Sequence, residues 1–248
     1  MSAVLFLGGN GHCAARLLSA RQAARTHGIA IDEVAYPGFE GRPRVATLDA
    51  FLDAIAAAPT DPTDPPLVYA TGIGALLALG LRARGQWRDR RLLLQAPVLW
   101  GLEHRWMPRL MRVPPVRHVA AALFTSTLFR ARFVRRYFER QLSPSEQAAF
   151  FDGYDRCSAL VDLFAWITPA WLRELERRFA TNRAALDGID VWWGARDRVV
   201  TVEELQWTQE ALGVSWPLQI FPGWGHYPMI DVPEEWAAAL AIVVSRPQ

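Results

Sequence analysis

The run Leu67-Val68-Tyr69-Ala70-Thr71-Gly72-Ile73-Gly74-Ala75-Leu76-Leu77-Ala78-Leu79 constrains the fold more than any other stretch of the chain. Its first part has no polar face, as expected of a strand buried on both sides. Two glycines one residue apart then mark a tight turn, because glycine alone adopts left-handed backbone freely. The alanines and leucines that follow are good helix formers. A buried strand that turns at once into a helix is the unit of a parallel sheet with helices on its faces. The apolar stretch is too short for a membrane span and is broken by Gly72, Gly74 and Gly80.

The same alternation recurs along the chain. Short leucine-rich or β-branched runs predict strands at 3–7, 31–35, 67–70, 91–95, 189–193 and 218–221. Helical spacing predicts helices at 14–27, 48–58, 75–86, 202–211 and 233–244. The expected class is therefore α/β, with a mainly parallel, doubly wound sheet. Between strand 91–95 and strand 189–193 the alternation stops, and the chain becomes arginine-rich and helical. Helices are expected there at 117–124, 128–141, 145–151, 158–166 and 169–179, punctuated by Pro108, Pro114, Pro115 and Pro169. The expected organisation is an α/β core from 1–97 and 187–248 with a helical cap inserted over 98–186. The stretch Pro59-Thr60-Asp61-Pro62-Thr63-Asp64-Pro65-Pro66 reads as a flexible loop.

Composition removes several function classes. All 27 residues counted as Lys+Arg are arginines. Without lysine there is no Schiff-base, pyridoxal phosphate or P-loop lysine chemistry. A net charge of +2 gives no reason to expect nucleic acid as a partner. Cys13 and Cys157 are too few and too far apart for a disulfide scaffold or a cysteine metal site. A reducing, cytoplasmic setting is expected, and residues 4–7 read as a core strand rather than part of a signal peptide. No metal or other cofactor is expected, and a homo-oligomer is compatible with the sequence.

Two later segments carry titratable groups in a suggestive order: Trp193-Gly194-Ala195-Arg196-Asp197 and Gly223-Trp224-Gly225-His226. They follow the predicted strands 189–193 and 218–221 and supply an acid and then a histidine in chain order. Two glycine turns precede them, Gly8-Gly9-Asn10-Gly11-His12 and Tyr36-Pro37-Gly38-Phe39-Glu40-Gly41-Arg42. With the turn Ala70-Thr71-Gly72-Ile73-Gly74, these motifs in this order resemble the alpha/beta-hydrolase superfamily, in its cap-bearing branch and with a sheet shortened at the N-terminus. That family places a nucleophile at the middle of a G-x-S-x-G elbow. Gly72 stands at that position, so the apex carries no side chain.

The resemblance implies a role for each matching position. Asp197 takes the place of the acid and His226 that of the base, the carboxylate fixing the imidazole tautomer. The backbone N–H groups of Asn10 and Ile73 take the oxyanion positions. Thr71, one residue before the apex, is expected to face away from the cleft by strand alternation. Cys13 is a weak alternative nucleophile. His12, Cys13, Trp100, Trp106 and Trp224 are expected around an apolar or aromatic substrate pocket. The arginines of the inserted segment, among them Arg112, Arg117, Arg130, Arg135 and Arg136, read as a solvated helix face.

Three readings follow. The first is a small-molecule enzyme without a covalent nucleophile, in which His226 and Asp197 serve elimination, cyclisation, carbon–carbon cleavage or direct hydrolysis by water. The second is a pseudoenzyme that binds a ligand or partner. The third is an esterase-like hydrolase whose serine has been replaced by Gly72.

Overall fold

The computed structural model describes residues 2–57 and 67–246. The proline-rich 59–66 segment lies outside the described residues. Six strands form one sheet: β1 (Ser2–Leu7), β2 (Ile29–Glu33), β3 (Leu67–Thr71), β4 (Arg91–Gln95), β5 (Ile189–Gly194) and β6 (Leu218–Phe221). All neighbours run parallel, in the order β2-β1-β3-β4-β5-β6. Five strands fall within one residue of their predicted ends. β2 lies two residues earlier than expected, since Ile29 and Ile31 are the side chains that alternate into the core.

Successive residues of the central strands serve opposite cores. Leu5, Leu7, Val68, Ala70, Leu92, Leu94, Val191 and Trp193 enter one apolar cluster. Val4, Phe6, Leu67, Tyr69, Leu93 and Trp192 enter the other. Burial on both faces explains why these strands read as unbroken apolar runs. The helices that cover them are α1 (Leu18–Thr26), α2 (Leu48–Ala56), α3 (Ile73–Ala83), α10 (Glu203–Leu212), α11 (Pro228–Asp231) and α12 (Pro233–Val244). α1 packs on α12 over one face, and α2 packs on α3 over the other.

Between β4 and β5 the described chain is wholly helical: α4 (Trp106–Met111), α5 (Pro114–Thr125), α6 (Thr127–Tyr137), α7 (Pro144–Asp155), α8 (Asp162–Trp166) and α9 (Pro169–Thr181), with short 3-10 turns at Trp100–His104 and Arg183–Leu186. Local chemistry sets these starts. Ser143 accepts the Glu146 N–H at 3.3 Å while Glu146 accepts the Ser143 N–H at 2.8 Å, a capping box that opens α7. Thr168 caps α9, and Pro144, Pro114 and Pro169 occupy first helical positions, where a missing N–H costs nothing.

The two glycines of the turn after β3 are needed for different reasons. Gly72 has φ 54° and ψ −123°, and a Cβ there would meet nothing nearer than the Gly9 Cα at 3.9 Å. Gly74 has an ordinary helical backbone, but a Cβ on it would lie 2.6 Å from the carbonyl oxygens of both Leu7 and Gly8. Gly72 makes the turn; Gly74 lets α3 lie against the end of β1.

Candidate functional site

The strand order fixes where a site can form. The chain leaves β1 toward β2 on one side, and the following strands are added on the other, so the loops after β1 and β3 diverge and leave a crevice at their carboxyl ends. A cavity of about 90 Å³ occupies this place, bordered by Gly9 and Asn10 from the first loop and by Gly72 and Ile73 from the second.

His226 lines the same cavity. Its Nδ1 lies 2.8 Å from Asp197 Oδ2, with the imidazole almost buried and the carboxylate wholly so. Asp197 follows β5 and His226 follows β6, so two neighbouring parallel strands deliver the pair at one end of the sheet. The other Asp197 oxygen accepts the N–H groups of Val199 at 2.7 Å and Val200 at 3.0 Å. Burial alone would push this carboxyl up. The charge and hydrogen bond of His226 and the two backbone donors outweigh it and hold the group below the ordinary carboxylate value. Asp197 is therefore an ionised, three-fold anchored acceptor, which favours the imidazole tautomer with hydrogen on Nδ1 and a lone pair on Nε2.

The loop after β1 is held by its own polar groups. Asn10 Nδ2 donates to the Leu160 carbonyl at 2.8 Å, its Oδ1 accepts the Gly11 N–H at 3.1 Å, and its carbonyl accepts from Arg16 Nη1 at 3.3 Å. Its backbone N–H is left uncommitted, as is that of Ile73, the first residue of α3; among the described residues neither donates to a protein acceptor. The Arg16 guanidinium lies over the rings of Phe150 and Tyr154, fixing this loop against α7.

The cavity wall is aromatic. Phe124 comes from α5, Phe133 and Tyr137 from α6, Tyr154 from α7 and Phe164 from α8, and Tyr227 follows His226. Burial pushes the Tyr137 phenol up to about 12 and raises Tyr154 and Tyr227 as well, so all three remain neutral donors. Arg105 also lines the cavity, neutralised by Glu204 at 2.5 Å and bonded to the Val199 carbonyl at 3.0 Å. Among the described residues, no group of three or more His, Cys, Asp and Glu side chains could hold a metal ion.

The structure brings Asn10, Gly72, Ile73, Asp197 and His226 together, and it places the expected pocket residues elsewhere. His12 folds back over Gly8, and its Nε2 meets Glu33 at 3.2 Å, away from the cavity. Burial lowers its pKa against the pull of Glu33. Cys13 is fully buried, donates to the Ala149 carbonyl at 3.5 Å and has its thiol pushed up by burial, the reverse of a reactive thiolate. Trp100 is buried with its indole N–H on Glu176. Trp224 is a core residue, stacked on Phe221 at 3.6 Å and donating to Glu235 at 2.8 Å. Trp106 is 71% exposed on α4. Thr71, expected to face away, borders the cavity, with its carbonyl and hydroxyl both beside Gly9.

Sequence reasoning missed Gln95, Arg105 and the tyrosines. Gln95 ends β4 beside Thr71, is fully buried, donates to the His226 carbonyl at 3.3 Å and leaves its Oε1 without a protein partner. Its place at the carboxyl end of a central strand was the available signal.

Comparison with known proteins agrees with this architecture. The model of the alpha/beta hydrolase family matches residues 4–239. Haloalkane dehalogenase DbeA from Bradyrhizobium elkani superposes with a TM-score of 0.70 at 20% identity, covering 98% of this chain and 90% of that one. A carboxylesterase structure from Nitrososphaera gargenis superposes at 0.62 with 12% identity, covering 98% and 91%. At these identities the likeness is one of fold. A search of curated proteins finds no match to the chain. With the family model spanning nearly its whole length, the chain belongs to the alpha/beta hydrolase family.

Proposed function

We propose that this protein is an enzyme acting on a small apolar or aromatic carbonyl compound, in which His226 moves a proton and no side chain forms a covalent intermediate. In this reading Gly72 stands at the nucleophile position of the elbow, and the helices α4–α9 form a cap over the site. The observation that carries it is the 2.8 Å bond between His226 and an anchored Asp197 beside the cavity that Gly72 borders. An imidazole so oriented is a general base through Nε2.

The N–H groups of Asn10 and Ile73 serve as donors to a developing oxyanion. In direct hydrolysis, His226 takes a proton from water as the oxygen adds to the carbonyl. The tetrahedral oxyanion then collapses, and the leaving group departs with the proton returned from imidazolium. With a substrate acidic beside its carbonyl, the same base takes the carbon-bound proton, and the two donors hold the enolate. The missing side chain at Gly72 leaves room for water or substrate there. The dehalogenase and carboxylesterase folds named above are consistent with small-molecule hydrolysis, which supports this class of reaction.

The test is turnover over a panel of aryl esters, lactones and 1,3-diketones. For any substrate found, His226→Ala is expected to lower kcat/KM by roughly 10²–10⁴-fold. A fluorophosphonate probe is expected to leave the protein unlabelled. Unchanged kcat/KM in His226→Ala, or labelling at Thr71 or Cys13, overturns the reading. Absence of turnover across the panel favours ligand binding without catalysis.

A further inference from the structure

The outer side of the inserted helices has a composition unlike the rest of the molecule. Exposed large apolar side chains are ordinary when scattered, but six of the eleven among the described residues fall within residues 106–128. Trp106, Leu110 and Val113 follow one another at helical spacing along α4 and out of its end, and Val119 and Leu123 do so on α5. Leu128 opens a stripe on α6 that continues through Arg132, Arg135 and Arg136. Exposure reaches 71% for Trp106, 62% for Val119 and 65% for Leu128. α4 packs on α5 and α5 on α6, so the stripes lie on neighbouring helices.

Charge is concentrated on the same stretch. Residues 104–138 contain eight arginines and no aspartate or glutamate. The chain carries +2 in all and this stretch +8, which leaves −6 on the remainder. Arg105 and Arg130 are paired with Glu204 and Asp155, and Arg112 and Arg117 bond to carbonyls. Arg132, Arg135 and Arg136 are exposed.

We propose that the outer face of α4, α5 and α6 seats the protein on an anionic lipid surface. The aliphatic side chains and Trp106 enter the boundary between headgroups and acyl chains, and the α6 arginines meet the lipid phosphates. Exposed Trp, Leu and Val beside unopposed arginines is the composition that such a surface selects. A second copy fits poorly, because an isologous contact would set this arginine-rich face against itself. Nucleic acid would use the arginines and leave the aliphatic stripes in water. The same helices supply Pro108, Phe124, Phe133 and Tyr137 to the cavity, so seating them on lipid brings the site next to a source of apolar ligand. The docking itself does not depend on the catalytic reading.

The experiment is flotation of the intact protein with vesicles of phosphatidylcholine alone and of phosphatidylcholine with phosphatidylglycerol, at low and at high salt. Flotation is expected only with the anionic vesicles and is expected to fall as salt rises. Exchanging Arg132, Arg135 and Arg136 together for glutamine should weaken partitioning by roughly 100-fold. Trp106→Ser should weaken it independently, while far-UV circular dichroism confirms that both variants fold. Failure to float with anionic vesicles at low salt overturns the proposal, as does undiminished flotation of the folded variants. So does tighter binding to duplex DNA than to vesicles, or a dimer in light scattering that Trp106→Ser dissolves.

Discussion

Gly72→Ser tests the turn, the cavity and the imidazole in one perturbation. The backbone at this position has φ 54° and ψ −123°, a region that a residue with a Cβ occupies at a cost of about 1–3 kcal/mol. Space adds nothing to that cost, since the new Cβ would have Gly9 Cα at 3.9 Å as its nearest neighbour. Restricting the unfolded chain returns about 0.4–1 kcal/mol. The net expectation is a loss of about 1–2 kcal/mol, which in a chain of this size lowers Tm by about 2–8 °C. Urea unfolding measures the loss, and Gly72→Ala should reproduce it without adding a hydroxyl. If His226 is aligned as proposed, Gly72→Ser should also react with a fluorophosphonate and release a burst of p-nitrophenol from p-nitrophenyl acetate, whereas Gly72→Ala should do neither. A serine variant as stable as the parent refutes the strain argument. A folded serine variant that stays unlabelled refutes the placement of base and oxyanion donors.

Two further substitutions address neighbouring parts of the framework. Gly74→Ala gains about 1 kcal/mol of helix propensity, but its Cβ would press on the Leu7 and Gly8 carbonyl oxygens at 2.6 Å. Because those are backbone atoms, overpacking should win, and urea midpoints should show Gly74→Ala less stable than Gly72→Ala. Asp231 is buried just after the His226 loop, and that burial outweighs the backbone donors of Glu139 and Arg140 and the nearby Arg140 charge, raising its pKa to about 6. An acid raised in the folded state gives full stability only while protonated in both states. Stability is therefore lost as pH climbs from the unfolded value toward 6. Asp231→Asn should be more stable than the parent by about 3 kcal/mol at pH 8 and lose most of that advantage near pH 4. Equal urea midpoints at pH 8 would contradict the desolvation argument.

The sheet was legible because strands buried on both faces have to be apolar at every position, and those runs recur between helical stretches. The first inserted helix was harder to see. Pro108 looks like a break in sequence, yet it occupies the first turn of α4, where a proline has no intrahelical hydrogen bond to remove. The meeting of Asp197 and His226 beside the two glycine loops was legible because each lies in a short motif at the end of a strand. The cavity wall was not, since five inserted helices contribute to it and no local pattern records which of their faces turns inward. Bulk misled the choice of tryptophans. A residue as large as Trp224 contributes most as packing, and its single N–H is satisfied at the edge of the core by Glu235. The rings that border the cavity include tyrosines, which hold a polar atom at an apolar wall. The tight turn that returns His12 N–H to the Gly9 carbonyl at 3.2 Å likewise sends that imidazole back toward Glu33, an outcome set by backbone geometry.

The pair of glycines after β3 shows how far one residue type can mislead when read from sequence. Both look like turn glycines, but only Gly72 has the backbone that demands one; Gly74 is helical and is required by the carbonyls facing it. A side chain is therefore barred at the second position by contact and at the first by conformation alone. Conformation is the weaker bar, because a strain of a few kcal/mol is tolerated where the surrounding fold determines the turn. In the proposed reading, the chemistry of this site depends on a position where the fold tolerates a side chain and Gly72 supplies none. The imidazole–carboxylate pair and the two free N–H groups form the remaining machinery through which the proposed reaction must run.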